Sequence, residues 1–270
     1  MDKRGVETFK RKVLWRLITI LLVALFLAVI LFNVYTHYFK DYEGKPQRLH
    51  TIPSEHVTMQ MDLNITAIGD SLTQGVGDPE EQGYAGITAK GLQASSAVAQ
   101  VNFEDYGVRG DTTSDLLDVL NKSKVEDALA HSDYIFLTIG GNDLVGVLKK
   151  HFLQLDLDDF EAQRVTYTKN LYAILTKIRQ LNSQATIYYL GLYNPFEDYF
   201  GELNSQFVTI LDEWNNATQT ILNLYPNTTF VPTYDLFHGK TDQLLYTDHF
   251  HPNKEGYHLM AKRLLNTIEK

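Results

Sequence analysis

The 270-residue chain carries a formal net charge of −9 and no cysteine, which excludes disulfides, thiol chemistry and a lipidated cysteine anchor. The charge is split: nine Lys/Arg and four Asp/Glu give the first 50 residues +5, leaving −14 for the remainder. So acidic a body disfavours nucleic acid, which is held by Lys and Arg that neutralise phosphates, and disfavours lying flat on anionic lipid.

Residues 17–35 (LITILLVALFLAVILFNVY) carry no charge and are long enough to cross a bilayer as one helix. Residues 1–16 hold Lys3, Arg4, Lys10, Arg11, Lys12 and Arg16, a basic flank that keeps the N-terminus in the cytoplasm. The prediction is a single-pass anchor in the cell membrane with the remaining chain outside. A cleaved signal peptide competes, but Tyr35-Thr36-His37-Tyr38 lacks the small-x-small pattern of a cleavage site. A buried core helix fits the uncharged length and one-sided flank less well. Residues 36–61 are polar, contain two prolines and read as a stalk, and 62–270 as the folded domain.

From there strands and helices alternate. Strands are predicted at 63–68, 97–106, 134–139, 186–190 and 229–232, and helices at 86–97, 112–120, 159–181, 208–224 and 253–268. The run 134–139 is apolar throughout, as in a strand buried on both faces. The alternation predicts a parallel sheet covered by helices on both faces, whose site lies at the C-terminal ends of the strands.

Four motifs fall at such places. Gly69-Asp70-Ser71-Leu72-Thr73 follows the first strand, Gly107-Val108-Arg109-Gly110-Asp111 the second and Gly140-Gly141-Asn142-Asp143 the third, with Asp248-His249-Phe250-His251-Pro252 near the end. Ser71 presents a hydroxyl in a tight turn and its own N–H to an incoming carbonyl oxygen; the bland alternative is a loop serine capping the next helix. Gly110 can offer its N–H with no side chain in the way, or simply form a turn before a helix cap at Asp111 or Thr112. The Asn142 amide can donate to an oxyanion or close an Asx-turn. Asp248 and His251, three apart on a helix-like turn, can form a carboxylate–imidazole pair that fixes the tautomer. Pro252 suits the first turn of the final helix. A metal site at His249 and His251 with Asp248 and His258 is the competing reading, and it leaves Ser71 and the glycine turns unused.

Taken together the motifs resemble the SGNH hydrolases, or GDSL lipase/esterase family, over about residues 62–270. The resemblance implies a flavodoxin-like three-layer α/β/α sandwich. It assigns Ser71, Asp248 and His251 as the catalytic triad and the Ser71 and Gly110 N–H groups with the Asn142 amide as the oxyanion hole. No metal and no cofactor are implied. The anchored layout, with Gly191-Leu192-Tyr193-Asn194-Pro195-Phe196 after the fourth strand, resembles Gram-positive surface members. One departure stands out: Asp105 occupies a position where the family usually has Asn. An ionised carboxylate only accepts, so Asp105 is expected to turn away from the oxyanion pocket and accept donors from its own loop. The expected partner is an ester substrate, of lipid or of acylated cell-envelope glycan, with the membrane engaged through the N-terminal helix. The alternatives are an O-acetylesterase acting on cell-wall polysaccharide and a non-catalytic glycan-binding surface protein. Residues 144–160 and 193–207 are expected to border the pocket.

Overall fold

The computed structural model describes residues 28–29, 60–78, 80, 83–150 and 157–269. The basic segment 1–16 lies outside the described residues, as does the predicted span 17–35 apart from Ala28 and Val29. Among the described residues no helix is long and apolar enough to cross a membrane. Most of the predicted stalk, 36–61, is likewise outside them. Its last residue, Met61, already belongs to the first strand and pairs with Val98. The described residues from 60 onward fall in one compact unit.

Five parallel strands form the sheet: β1 (Met61–Gly69), β2 (Val98–Gly107), β3 (Tyr134–Thr138), β4 (Thr186–Leu190) and β5 (Thr228–Val231). Their spatial order is β2-β1-β3-β4-β5, with every pair parallel. Side chains alternate between faces. Ile68, Ile135, Leu137, Ile187 and Tyr189 point to one face, Ile65, Ala67, Phe136, Tyr188 and Leu190 to the other. On the first face lie α3 (Thr113–Val119), α4 (Ser123–His131), α5 (Gly141–Lys150), α6 (Leu157–Leu181) and α7 (Asn204–Leu222). On the second lie α2 (Gly83–Gln93), two single-turn helices, α8 (Tyr234–Phe237) and α9 (Thr241–Leu244), and α10 (Lys254–Ile268). A further single turn, α1 (Ser71–Gln74), leaves the end of β1. The predicted three-layer α/β/α sandwich with a central parallel sheet is therefore present. Each fully buried large apolar side chain in it, Phe136 or Leu129 for example, is worth about 1.5–3 kcal/mol.

One predicted detail changes and one alternative is resolved. Asn253, not Pro252, opens α10: its side chain accepts from the Gly256 N–H at 3.0 Å, leaving Pro252 just before the cap. Thr112, rather than Asp111, caps α3, in a reciprocal box with Asp115.

Candidate active site

Three neighbouring strands deliver the site. β2, β1 and β3 are adjacent in the sheet, and the loops leaving them carry Gly110, Ser71 and Asn142. Neighbouring strands lie about 4.8 Å apart, so motifs far apart in sequence emerge side by side.

The turn holding Ser71 is fixed from below. Asp70 caps α1, its Oδ1 accepting the Leu72 N–H at 3.0 Å and the Thr138 hydroxyl at 2.8 Å. The Asp70 N–H donates to the Thr138 carbonyl at 3.0 Å. Thr73 Oγ1 lies 2.7 Å from Thr138 Oγ1 and 3.1 Å from the Tyr84 hydroxyl. Gly69 precedes this knot with φ +135°, and a Cβ there would sit 1.9 Å from the Thr138 carbonyl oxygen, so only glycine fits. Burial pushes the Asp70 carboxyl up to about 7, against the opposing bonds from Thr138 and Leu72.

Ser71 Oγ is 2.8 Å from His251 Nε2, and His251 Nδ1 is 2.6 Å from Asp248 Oδ2. Ser71 and His251 are buried, while Asp248 is partly exposed. The pairing of Asp248 with His251 does not come from a helical turn. Asp248 Oδ1 accepts the N–H groups of Phe250 (3.1 Å) and His251 (3.0 Å), an Asx-type turn. His249 takes φ +56°, and an antiparallel bridge between Leu245 and Pro252 closes the loop. Burial raises the Asp248 carboxyl, but bonds from the His251 ring and from the two backbone N–H groups outweigh it, leaving it below its ordinary value. The competing metal set is dispersed. The His249 ring packs edge-on against Tyr199, and His258 Nδ1 lies 2.8 Å from the Lys254 carbonyl. Among the described residues no cluster of three metal-ligating side chains forms.

Two adjacent residues in the first turn of α5 tie the expected oxyanion loop to that helix. Asn142 Nδ2 donates to the Asp111 carbonyl at 2.9 Å, spending one of its two N–H bonds and leaving the other. Asp143, buried, accepts the Thr113 N–H (2.9 Å) and hydroxyl (2.6 Å). Burial raises its carboxyl above the ordinary value despite those bonds. Gly110 has φ +92° with open space where a Cβ would be, so conformation, not clearance, calls for glycine here. Neither the Ser71 nor the Gly110 N–H is paired with an acceptor among the described residues.

Asp105 accepts the Gly107 N–H at 2.7 Å, and burial lifts its carboxyl to about 6. It does not line the cleft around Ser71, which agrees with the expected orientation.

Two spaces meet at Ser71. One is an apolar cavity with roughly 490 Å³ of unfilled space, part of it open to solvent, walled by Leu144, Leu192, Phe196, Phe207, Leu211 and Phe250. The other is an open cleft bordered by Gly110, Asn142, His251, Arg109 and Lys149. The expected walls, 144–160 and 193–207, contribute as predicted, although 151–156 lie outside the described residues. Asn194 shapes the second wall, accepting the Phe196 N–H at 2.9 Å and donating to Asn204 at 2.8 Å. The brackets Thr138 and Asp143 were not anticipated. Their only sequence signal was position: one at the end of a buried strand, the other beside Asn142.

The profile of the GDSL-like lipase/acylhydrolase family matches residues 67–259. The chain belongs to that family. An uncharacterised protein of Bacillus subtilis, YpmR, is 38% identical over 230 residues, covering 84% of this chain and 88% of the relative. The spore germination lipase LipC of Bacillus licheniformis is 29% identical, covering 76% and 95%. Among solved structures, the lipase Lip_vut3 from a goat rumen metagenome superposes with TM-score 0.64 at 27% identity, covering 76% of this chain and 96% of its own. An acetylxylan esterase from Geobacillus stearothermophilus shares the fold at 20% identity, TM-score 0.57, covering 77% and 94%. Carboxylic ester hydrolysis is the activity of the group to which this chain belongs.

Proposed function

We propose that the chain hydrolyses carboxylic esters of lipid acyl groups through an acyl-enzyme on Ser71, and that it works outside the cytoplasmic membrane, tethered by residues 17–35. The observation that carries the chemistry is the continuous hydrogen-bonded line Ser71–His251–Asp248 beside three donors without another anion to serve. With the proton on Nδ1 facing Asp248, His251 Nε2 is the acceptor for the Ser71 O–H. Ser71 Oγ attacks the ester carbonyl as its proton passes to Nε2, and Asp248 stabilises the imidazolium. The tetrahedral oxyanion takes the Ser71 and Gly110 N–H groups and the remaining Asn142 N–H. Collapse breaks the bond to the alcohol oxygen, which leaves with the proton from Nε2. Water then repeats the sequence on the acyl-Ser71, releasing the acid.

The apolar cavity favours an acyl chain over acetyl. A cleft built for acetyl needs room for one methyl group, whereas six Leu and Phe side chains line the space here, an apolar wall suited to a longer chain. The names of the lipase relatives point the same way. The tether rests on the sequence: an uncharged run long enough to span, behind a basic flank.

The test is covalent labelling with a fluorophosphonate, followed by hydrolysis of p-nitrophenyl esters from acetate to dodecanoate. Labelling at Ser71 with an optimum beyond butyrate is expected. An optimum at acetate would replace the lipid reading with the O-acetylesterase one, and absence of labelling with intact fold would leave only a binding role.

A further inference from the structure

Three hydroxyls are buried together beneath the turn that carries Asn142, and the acyl-transfer steps use none of them. Tyr167 on α6, Tyr189 on β4 and Thr218 on α7 are each at most 1% exposed. The Tyr189 O–H donates to the carbonyl of Ile139, the residue before Gly140-Gly141-Asn142. The Tyr167 hydroxyl lies 2.8 Å from the Tyr189 hydroxyl and 2.5 Å from Thr218 Oγ1, and Thr218 Oγ1 lies 2.9 Å from the Trp214 carbonyl. Burial pushes both phenols up, so both keep their protons. Three protons then serve four contacts, and one contact goes without. The Trp214 carbonyl can spare it, because a carbonyl inside a helix already takes the N–H four residues further on. The chain of donors therefore runs one way, from Thr218 through Tyr167 and Tyr189 to Ile139.

Two consecutive glycines, the least constrained of residues, separate Ile139 from Asn142. Gly140 has φ +104°, and a Cβ there would sit 2.6 Å from Tyr167 Cε2. The Ile139–Gly140 peptide is thus gripped twice, on its oxygen by Tyr189 and at its glycine by the Tyr167 ring, which stacks on Trp214 with centroids 4.9 Å apart. Phenylalanine at 167 and 189 would fill the same space, so the hydroxyls supply direction rather than volume. Asn142 itself has one side-chain tether, to the Asp111 carbonyl. The geometry points to Tyr189 and Tyr167 as positioning residues of the oxyanion hole: their hydroxyls fix the Ile139–Gly140 peptide and so aim the remaining Asn142 N–H at the forming oxyanion. The proposal rests on the reading of Asn142 as an oxyanion donor and adds what holds that donor in place.

The test is a double-mutant cycle on the full chain in detergent, with p-nitrophenyl octanoate as substrate. Tyr189→Phe should lower kcat about ten-fold with KM unchanged, a fraction of the loss that follows removal of a donor itself. Tyr167→Phe keeps the ring against Gly140 and removes only the O–H, so it should lower kcat about three-fold. In the Asn142→Ala background the donor is already gone, and neither substitution should change kcat by more than about two-fold. Should Tyr189→Phe not fold, Tyr167→Phe and Thr218→Val carry the same comparison. A loss of kcat as large without Asn142 as with it would mean that the hydroxyls steady the fold at large, and would overturn the proposal. Native-like kcat in both Tyr variants would overturn it too. Native-like turnover in Asn142→Ala alone would overturn the donor reading of Asn142 and the proposal with it, while fluorophosphonate labelling of that variant would leave ester hydrolysis standing.

Discussion

Replacing Asp70 by asparagine removes a buried charge while keeping the acceptor oxygen that holds Leu72 N–H and the Thr138 hydroxyl. The carboxyl is raised from 3.8 to about 7 by burial, a difference of about 4 kcal/mol between its two protonation states. The sign follows from the folded pKa lying above the unfolded one. The stabilising contribution is fully present below about pH 3.8, declines as pH rises, and is lost once pH passes about 7. Between pH 5 and pH 8.5 the unmodified domain should therefore lose about 3 kcal/mol at this site that Asp70→Asn does not lose. The new amide N–H₂ needs an acceptor, and an unsatisfied donor costs about 1–3 kcal/mol at every pH. The variant should thus be the less stable form at pH 5 and should draw level or overtake at pH 8.5. Urea denaturation of both proteins across that range measures the difference directly. A constant offset between them from pH 5 to 8.5 would refute the argument, because it would mean that Asp70 carries the same charge in the folded and unfolded chain throughout.

Ser71→Ala should abolish ester hydrolysis and fluorophosphonate labelling with an unchanged denaturation midpoint, and residual turnover near the native level would remove Ser71 from its role. Asn142→Ala should lower kcat about 10²–10³-fold, read in p-nitrophenyl octanoate assays. Asp105→Asn should keep most activity, since its side-chain oxygen can still accept the Gly107 N–H, whereas Asp105→Ala should lower turnover more than stability. Equal native-like turnover in both would show that position 105 does not support the oxyanion loop. Protease added to intact cells should digest the domain and spare the first residues, and a soluble product starting near residue 36–45 would instead mark a cleaved leader.

The sequence disclosed the five strands because their apolar runs end in glycine or turn residues, and it singled out Ser71, Gly110, Asn142, Asp248 and His251 as candidates because each stands in a short motif. It hid α4, α5 and the single-turn helices. Helix α5 begins inside the Gly-Gly-Asn-Asp motif itself, so its first turn reads as a loop. Helix α4 is nine residues long, and only Val125, Ala128 and Leu129 are buried to mark its period. The Asp248–His251 geometry was misread for a related reason. Spacing of three is compatible with a helix or an Asx-turn, and the positive φ of His249 that decides between them has no signature in a histidine. The brackets at Thr138 and Asp143 depend on contacts 68 and 30 residues away, which no local pattern records.

Ser71 and His251 stand 180 residues apart along the chain, and their meeting is secured by a second tie from the helix that follows His251, the Tyr257 hydroxyl donating to the Val76 carbonyl at 2.8 Å. Synthesis runs from one to the other. A chain leaving the ribosome therefore exposes Ser71 long before anything can take its proton, and the hydroxyl stays an ordinary alcohol until the final helix docks. The Ser71–His251 pair therefore comes together only once the last stretch of the chain has been made.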